Sequence, residues 1–132
     1  MKRYLEEPGS DAFDAFCALP GVERVICALG VTEFTGVLQR RIRMQTLTAK
    51  QASAVRMRFL GEVAAGGWRV ADFENGCFAN AAALMSELGA PLATLDALHL
   101  ACAMQQGATE IATADPQLAF AARKAKMRVH AF

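Results

Sequence analysis

Three carboxylates stand where a small α/β chain could put them to chemical use: Glu33, Asp96 and Asp115. Glu33 follows a short apolar run and opens a stretch of helical periodicity. Asp96 lies just inside a helix that Thr94 is expected to cap. Asp115 directly follows the run Glu110 to Ala114 and precedes Pro116. Each has a local explanation. An acid at a helix N-terminus gains roughly 0.3–1 kcal/mol from the macrodipole, and Asp before Pro is an ordinary helix start. Gathered in one cleft they would require more. Two carboxylates about 4 Å apart repel by about 4 kcal/mol at an effective dielectric of about 20, so three in company call for a cation. Mg²⁺ or Mn²⁺ suits an all-oxygen donor set. Such an ion orients a water and stabilises charge developing on phosphate. The chemistry these residues imply is hydrolysis of a phosphodiester.

The elements that must position them follow from the pattern of apolar and breaking residues. Residues 24–28 read as a buried strand, 68–73 as a second, 110–113 as a third and 128–132 as a fourth. Helices are expected over residues 11–18 with Ser10 as cap, 31–43, and from the cap Thr48 to about 65, where Gly66-Gly67 stops it. Further helices are expected over 74–88, closed by Gly89-Ala90-Pro91, over 95–106 after Thr94, and over 117–126 after Asp115-Pro116. Strands alternating with helices imply an α/β, three-layer fold with a parallel sheet of four strands. Ligands in such folds bind at the carboxyl ends of the strands. That edge is where Glu33 and Asp115 are expected, and Asp96 joins them if its helix begins there.

At 132 residues the chain is long enough for one domain, spanning 1–132, and too short for two. No apolar window is long enough for a membrane span, and the N-terminus lacks a signal-peptide core, so the cytoplasm is the expected compartment. Cys17, Cys27, Cys77 and Cys102 form no close pair and read as buried free thiols. A net charge of +1 is too small to hold nucleic acid by charge alone. An RNA substrate would need local basic clusters, a metal or a partner subunit.

At these residues the sequence resembles the PIN-domain family, and within it the VapC toxins of type II toxin–antitoxin pairs. The resemblance lies in Thr94-Leu95-Asp96-Ala97-Leu98-His99-Leu100-Ala101, in Thr113-Ala114-Asp115 with the alanine-rich segment after it, and in Val31-Thr32-Glu33-Phe34. Lys2 to Ser10 resembles the segment that succeeds the family's first strand. The resemblance implies an Mg²⁺- or Mn²⁺-dependent endoribonuclease that cuts structured RNA such as tRNA or rRNA. It implies a homodimer inhibited by a cognate antitoxin. By carry-over, Glu33, Asp96 and Asp115 would hold the metal or its water, and Thr113 would assist by hydrogen bonding. The family opens with a strand and an Asp-x-Ser-Ala-type turn ahead of the segment that Lys2 onward resembles. The expectation is therefore of a chain read from a truncated or misassigned start, without that central strand and its aspartate. Were Met1 instead the native start, strands 24–28 and 110–113 would be separated by a gap, would pair directly, or would receive a strand from another copy.

Other residues carry weaker signals. His99 stands one helical turn after Asp96 and reads as a core histidine before a metal ligand. His130 has no partner visible in the sequence. Arg40, Arg41 and Arg43 close one helix, and Arg123, Lys124, Lys126 and Arg128 surround the end of another. With Arg56 and Arg58 they read as solvated or dipole-complementing charges, or else as RNA phosphate contacts. Trp68 reads as a packing residue. Met1, Tyr4, Leu5, Phe13 and Phe16 give the N-terminal segment an apolar face that is expected to be partly exposed if the first strand is missing. Two further readings differ in class from a nuclease: a PIN-like module that binds an antitoxin or RNA without cutting, and an unrelated α/β domain whose acids only cap helices.

Overall fold

A computed structural model of the protein describes residues 3–89 and 91–132. Met1 of the apolar face, Lys2, and Ala90 of the Gly89-Ala90-Pro91 break lie outside the described residues. The described chain falls into two compact units, 1–70 and 71–132.

The first unit holds α1 (Ser10–Cys17), β1 (Val25–Cys27), α2 (Ala28–Arg43) and α3 (Ala49–Ala64). It also takes most of β2 (Arg69–Ala71), which crosses the division. Helix α3 starts as the sequence requires. The Gln51 amide donates to Thr48 Oγ1 at 3.2 Å, and the Gln51 side chain accepts from the Thr48 amide at 2.9 Å, closing a capping box. It stops at Gly66, whose φ of +75° suits glycine, while a Cβ on Gly67 would meet the Glu62 carbonyl at 3.0 Å. Ser10 is not the cap of α1, which Gly9 precedes in a left-handed conformation. The Ser10 hydroxyl instead accepts from the Glu7 amide at 3.0 Å.

Leu5, Phe34, Leu38, Ala52 and Phe59 form this unit's core. Tyr4 meets Phe34 and Phe59 edge-on, each at 5.4 Å. The N-terminal face expected to be partly exposed divides. Leu5 is buried, and Tyr4, Phe13 and Phe16 are half-buried.

A polar network seals the edge of that core. Arg3 Nε donates to Glu62 Oε2 at 2.9 Å and the Tyr4 hydroxyl donates to the same oxygen at 2.8 Å. Trp68 Nε1 donates to the Tyr4 oxygen at 2.8 Å, so Trp68 is a packing residue with its polar end satisfied. Burial alone would raise the Glu62 carboxyl. The hydrogen bonds from Arg3 and Tyr4, with the Arg3 charge, outweigh it and hold the group below the ordinary carboxylate range. Burial, then the Glu62 carboxylate, push Tyr4 up to about 12. The two shifts bracket a pH window. A depressed carboxyl stabilises the fold above its unfolded value, about 4.3, and that contribution is lost as pH falls through the folded value. A raised phenol stabilises the fold below about 10 and loses that contribution as pH rises towards 12. Melting of the first unit is thus expected to be level between these limits and to fall on both sides. Glu62→Gln is expected to lower the plateau and flatten the acid limb in a pH series of thermal melts. An acid limb identical to that of the parent protein would contradict the assignment.

The second unit holds α4 (Cys77–Glu87), α5 (Thr94–Gln105), β3 (Glu110–Thr113), α6 (Pro116–Lys124) and β4 (Arg128–Ala131). Helix α5 packs against α4 and α6 and is apolar nearly all round. Ala97, Leu100, Ala101 and Cys102 are at most 2% exposed, as a helix at the centre of its unit must be. Strands β3 and β4 pair in parallel with Glu110 opposite Arg128 and Thr113 opposite Ala131. Helix α6 connects them and packs on both, as parallel pairing demands.

The α/β class and the four strands stand as expected, with two corrections. The strands form two pairs, β1–β2 and β3–β4, in place of one four-stranded sheet. The first two strands are also shorter than read, at three residues each. Ala28 already belongs to α2, because nothing between Cys27 and Val31 breaks a helix. All four cysteines are free and buried. No helix among the described residues is long and apolar enough to cross a membrane.

Candidate active site

Asp115 is the best-defined of the three acids. Strand β3 ends at Thr113 and α6 begins at Pro116, leaving two residues to make the turn. Asp115 has the extended backbone of an N-cap, and its Oδ1 accepts from the amides of Gln117 at 2.7 Å and Leu118 at 2.9 Å. The Asp115 amide in turn donates to Thr113 Oγ1 at 3.0 Å. Thr113 therefore fixes the turn that carries the carboxylate. Every recorded bond to the carboxylate goes to Oδ1, so Oδ2 is open among the described residues. The group is exposed and rigidly held at the carboxyl end of a parallel strand, the edge where α/β folds bind ligands.

Asp96 lies in the first turn of α5, as the sequence indicates. The cap differs from expectation. Ala93 takes the N-cap position and offers no side chain, while Thr94 is already helical. The extended Ala93 backbone is enough to enter the helix, and the half-buried Asp96 is left as the acid at an end without a side-chain cap. Both Asp96 and Asp115 thus sit in the opening turns of helices of the second unit.

Glu33 sits one turn deeper than expected. Because α2 starts at Ala28, Glu33 is its sixth residue, and its first turn holds no acid. The displacement is about 7.5 Å along the helix from Ala28. The side chain is half-buried next to Phe34, which is locked in the core of the first unit.

Within either unit taken by itself, no three His, Cys, Asp or Glu side chains of the described residues are grouped as a cation site requires. The donors of one unit therefore fall short of a complete metal site. His99 is half-buried on α5. His130, which had no partner in the sequence, meets Glu110 across the strand pair, with Nε2 2.6 Å from Oε2. That contact, with Arg128 close by, holds Glu110 below the ordinary carboxylate range.

The basic clusters divide. Arg41 pairs with Glu7 at 2.6 Å, and Arg58 pairs with Glu62 while lying over the Tyr4 ring. These belong to the fabric of the first unit. Arg123, Lys126 and Arg128 instead line one open cleft of the second. What the sequence reading missed is mostly of this kind: Arg3, Tyr4, Glu62 and Trp68 are separated by up to 65 residues, and only the fold makes them a group.

A protein-family model described as PIN domain matches residues 3–124 and so spans both units. None of the curated proteins compared with the chain matches it.

Proposed function

The chain belongs to the PIN domain family, whose members are generally nucleases that use divalent metals, and from that premise we propose that it is an endoribonuclease of the toxin type. Glu33, Asp96 and Asp115 serve one reaction, hydrolysis of an RNA phosphodiester, with Mg²⁺ or Mn²⁺ as cofactor. The substrate class is structured RNA, tRNA or rRNA. The enzyme works as a cytoplasmic homodimer and is held in check by a cognate antitoxin.

The observation that carries the reading is the Thr113–Asp115 turn. A carboxylate with one oxygen tied to two backbone amides and the other open is oriented before any substrate arrives. It needs little reorganisation to receive a proton or to hold a positively charged partner. Asp96, with its helix entry uncapped by a side chain, is the second acid of the same unit. The resemblance of Val31-Thr32-Glu33-Phe34 to the family's glutamate segment supports Glu33 as the third.

A second reading is favoured by one observation: among the described residues, neither unit alone gathers three metal-binding side chains. On that reading the protein binds RNA or an antitoxin without cutting. Incubation with total tRNA separates the two. Cleavage with Mn²⁺ that stops with EDTA is expected. Binding of tRNA with no new ends under any metal condition would favour the non-catalytic module.

A further inference from the structure

Strands β3 and β4 have two ends. Asp115 marks the carboxyl end, and the amino end opens into a cleft of about 540 Å³ lined by Thr109, Glu110, Arg123, Lys126, Met127 and Arg128. We infer that this amino-end cleft is a second RNA contact, with Arg123, Lys126 and Arg128 binding backbone phosphates remote from the bond that is cut. The polymer's identity rests on the ribonuclease reading. The anion site rests on the cleft itself.

Three elements bring the cations together. Arg123 lies in the last turn of α6, Lys126 in the turn just beyond it, and Arg128 begins β4. The parallel register sets Arg128 opposite Glu110, and its Nη1 donates to Glu110 Oε1 at 2.8 Å. Glu110 is engaged a second time by His130. The cleft's one carboxylate is therefore already taken up. The side chains of Arg123 and Lys126 have no hydrogen-bond or ion-pair partner among the described residues.

A charge at position 123 has an ordinary explanation, since cations favour helix C-termini. Lys126 does not share it so easily. It lies beyond the helix at φ +64°, in the left-handed region where glycine is preferred. Its amide and that of Met127 close the helix end by bonding the Arg123 and Ala122 carbonyls, each at 3.0 Å. A side chain in such a turn is strained relative to glycine. The sequence places a long cation there, in the lining of the same cleft as two others.

The lining also says what kind of anion fits. No aromatic ring borders the cleft, and its apolar member, Met127, is 7% exposed. A nucleobase has nothing to stack on, which base recognition would need. Three cations spread across an open cleft match consecutive phosphates of a chain better than the enclosed pocket of a nucleotide. Strand β3 advances roughly 10 Å at strand rise from Glu110 to Thr113, and the Asp115 turn lies beyond it. One RNA strand held at this cleft would thus be gripped away from the Asp115 turn.

The test uses the full chain and a labelled 2′-O-methyl RNA oligonucleotide, which is not cleaved, in EDTA. Affinity is followed across a salt series by fluorescence anisotropy. Each phosphate contact on a single strand contributes about 0.7 to the slope of log affinity against log salt. Arg123→Gln with Lys126→Gly is expected to lower that slope by about 1.4 and to weaken binding several-fold at low salt. Lys126→Gly alone should lower it by about half as much, with a Tm no lower than the parent's because it removes the strained side chain. This variant decides the matter if the double variant melts early. An unchanged slope and affinity in both variants would overturn the inference, as would absence of RNA binding by the parent protein. Complete displacement of RNA by inorganic phosphate at matched ionic strength would also overturn it, marking a single-phosphate pocket. If the parent protein binds but never cleaves RNA, the ribonuclease reading fails while the comparison of slopes still stands.

Discussion

Asp115→Asn is expected to reduce RNA cleavage by at least about 10²–10³-fold, the loss typical of removing one aligned charge-stabilising group from a reacting centre, without lowering the melting temperature. The asymmetry follows from the two tasks of one side chain. Asparagine caps a helix about as well as aspartate, so the bonds to the Gln117 and Leu118 amides survive through its carbonyl oxygen. What is lost is the negative charge, and with it the open second oxygen. Asp115→Ala removes both and should lower stability by about 1 kcal/mol as well. Cleavage rates and urea midpoints for the two variants check this. Equal destabilisation with retained cleavage would make Asp115 a helix cap and nothing more.

The largest effect on stability is expected at Phe59. It is 2% exposed, its ring centre is 4.6 Å from that of Phe34, and Tyr4 packs edge-on against both. Phe59→Ala removes the ring on which α2, α3 and the N-terminal segment converge. Such truncations cost about 3–5 kcal/mol, a large part of the roughly 5–15 kcal/mol that holds an ordinary domain. The urea midpoint of the first unit should fall accordingly. Met57→Ala, on the same helix but 62% exposed, is the control and should stay within about 0.5 kcal/mol. Comparable losses at both positions would mean that the core does not lie where the rings place it. Since Phe34 follows Glu33 directly, loss of this packing should also loosen the helix turn that presents Glu33.

The sequence made the turns with strong local chemistry plain. Asp115-Pro116 and Thr48 both start helices as read, because the cap and its partners lie within three residues of one another. Strand 110–113 was equally plain. The entry to α2 was less so. Ala28, Leu29 and Gly30 are as compatible with a strand end as with a first turn, and their adoption into the helix moves Glu33 inward by a turn. Thr94 has the right side chain for a cap, yet the helix begins one residue earlier. A cap residue declares only that a helix starts nearby. The pairing of strands was not legible at all. Val25–Cys27 and Glu110–Thr113 carry the same apolar signal, and nothing in either names β2 or β4 as its neighbour. Nor could the sequence show that His130 meets Glu110, since that contact depends on parallel register.

If the acids act together on one bond, a double-variant cycle within the second unit reveals it most directly. Rates of RNA cleavage would be measured for the parent protein, Asp96→Asn, Asp115→Asn and the two combined, at saturating Mn²⁺. Residues that work as a unit are grossly non-additive. The expected result is that the combined variant is scarcely slower than the worse of the single ones. Losses that multiply, or a parent-like rate in either single variant, would show that Asp96 and Asp115 do not share a reaction.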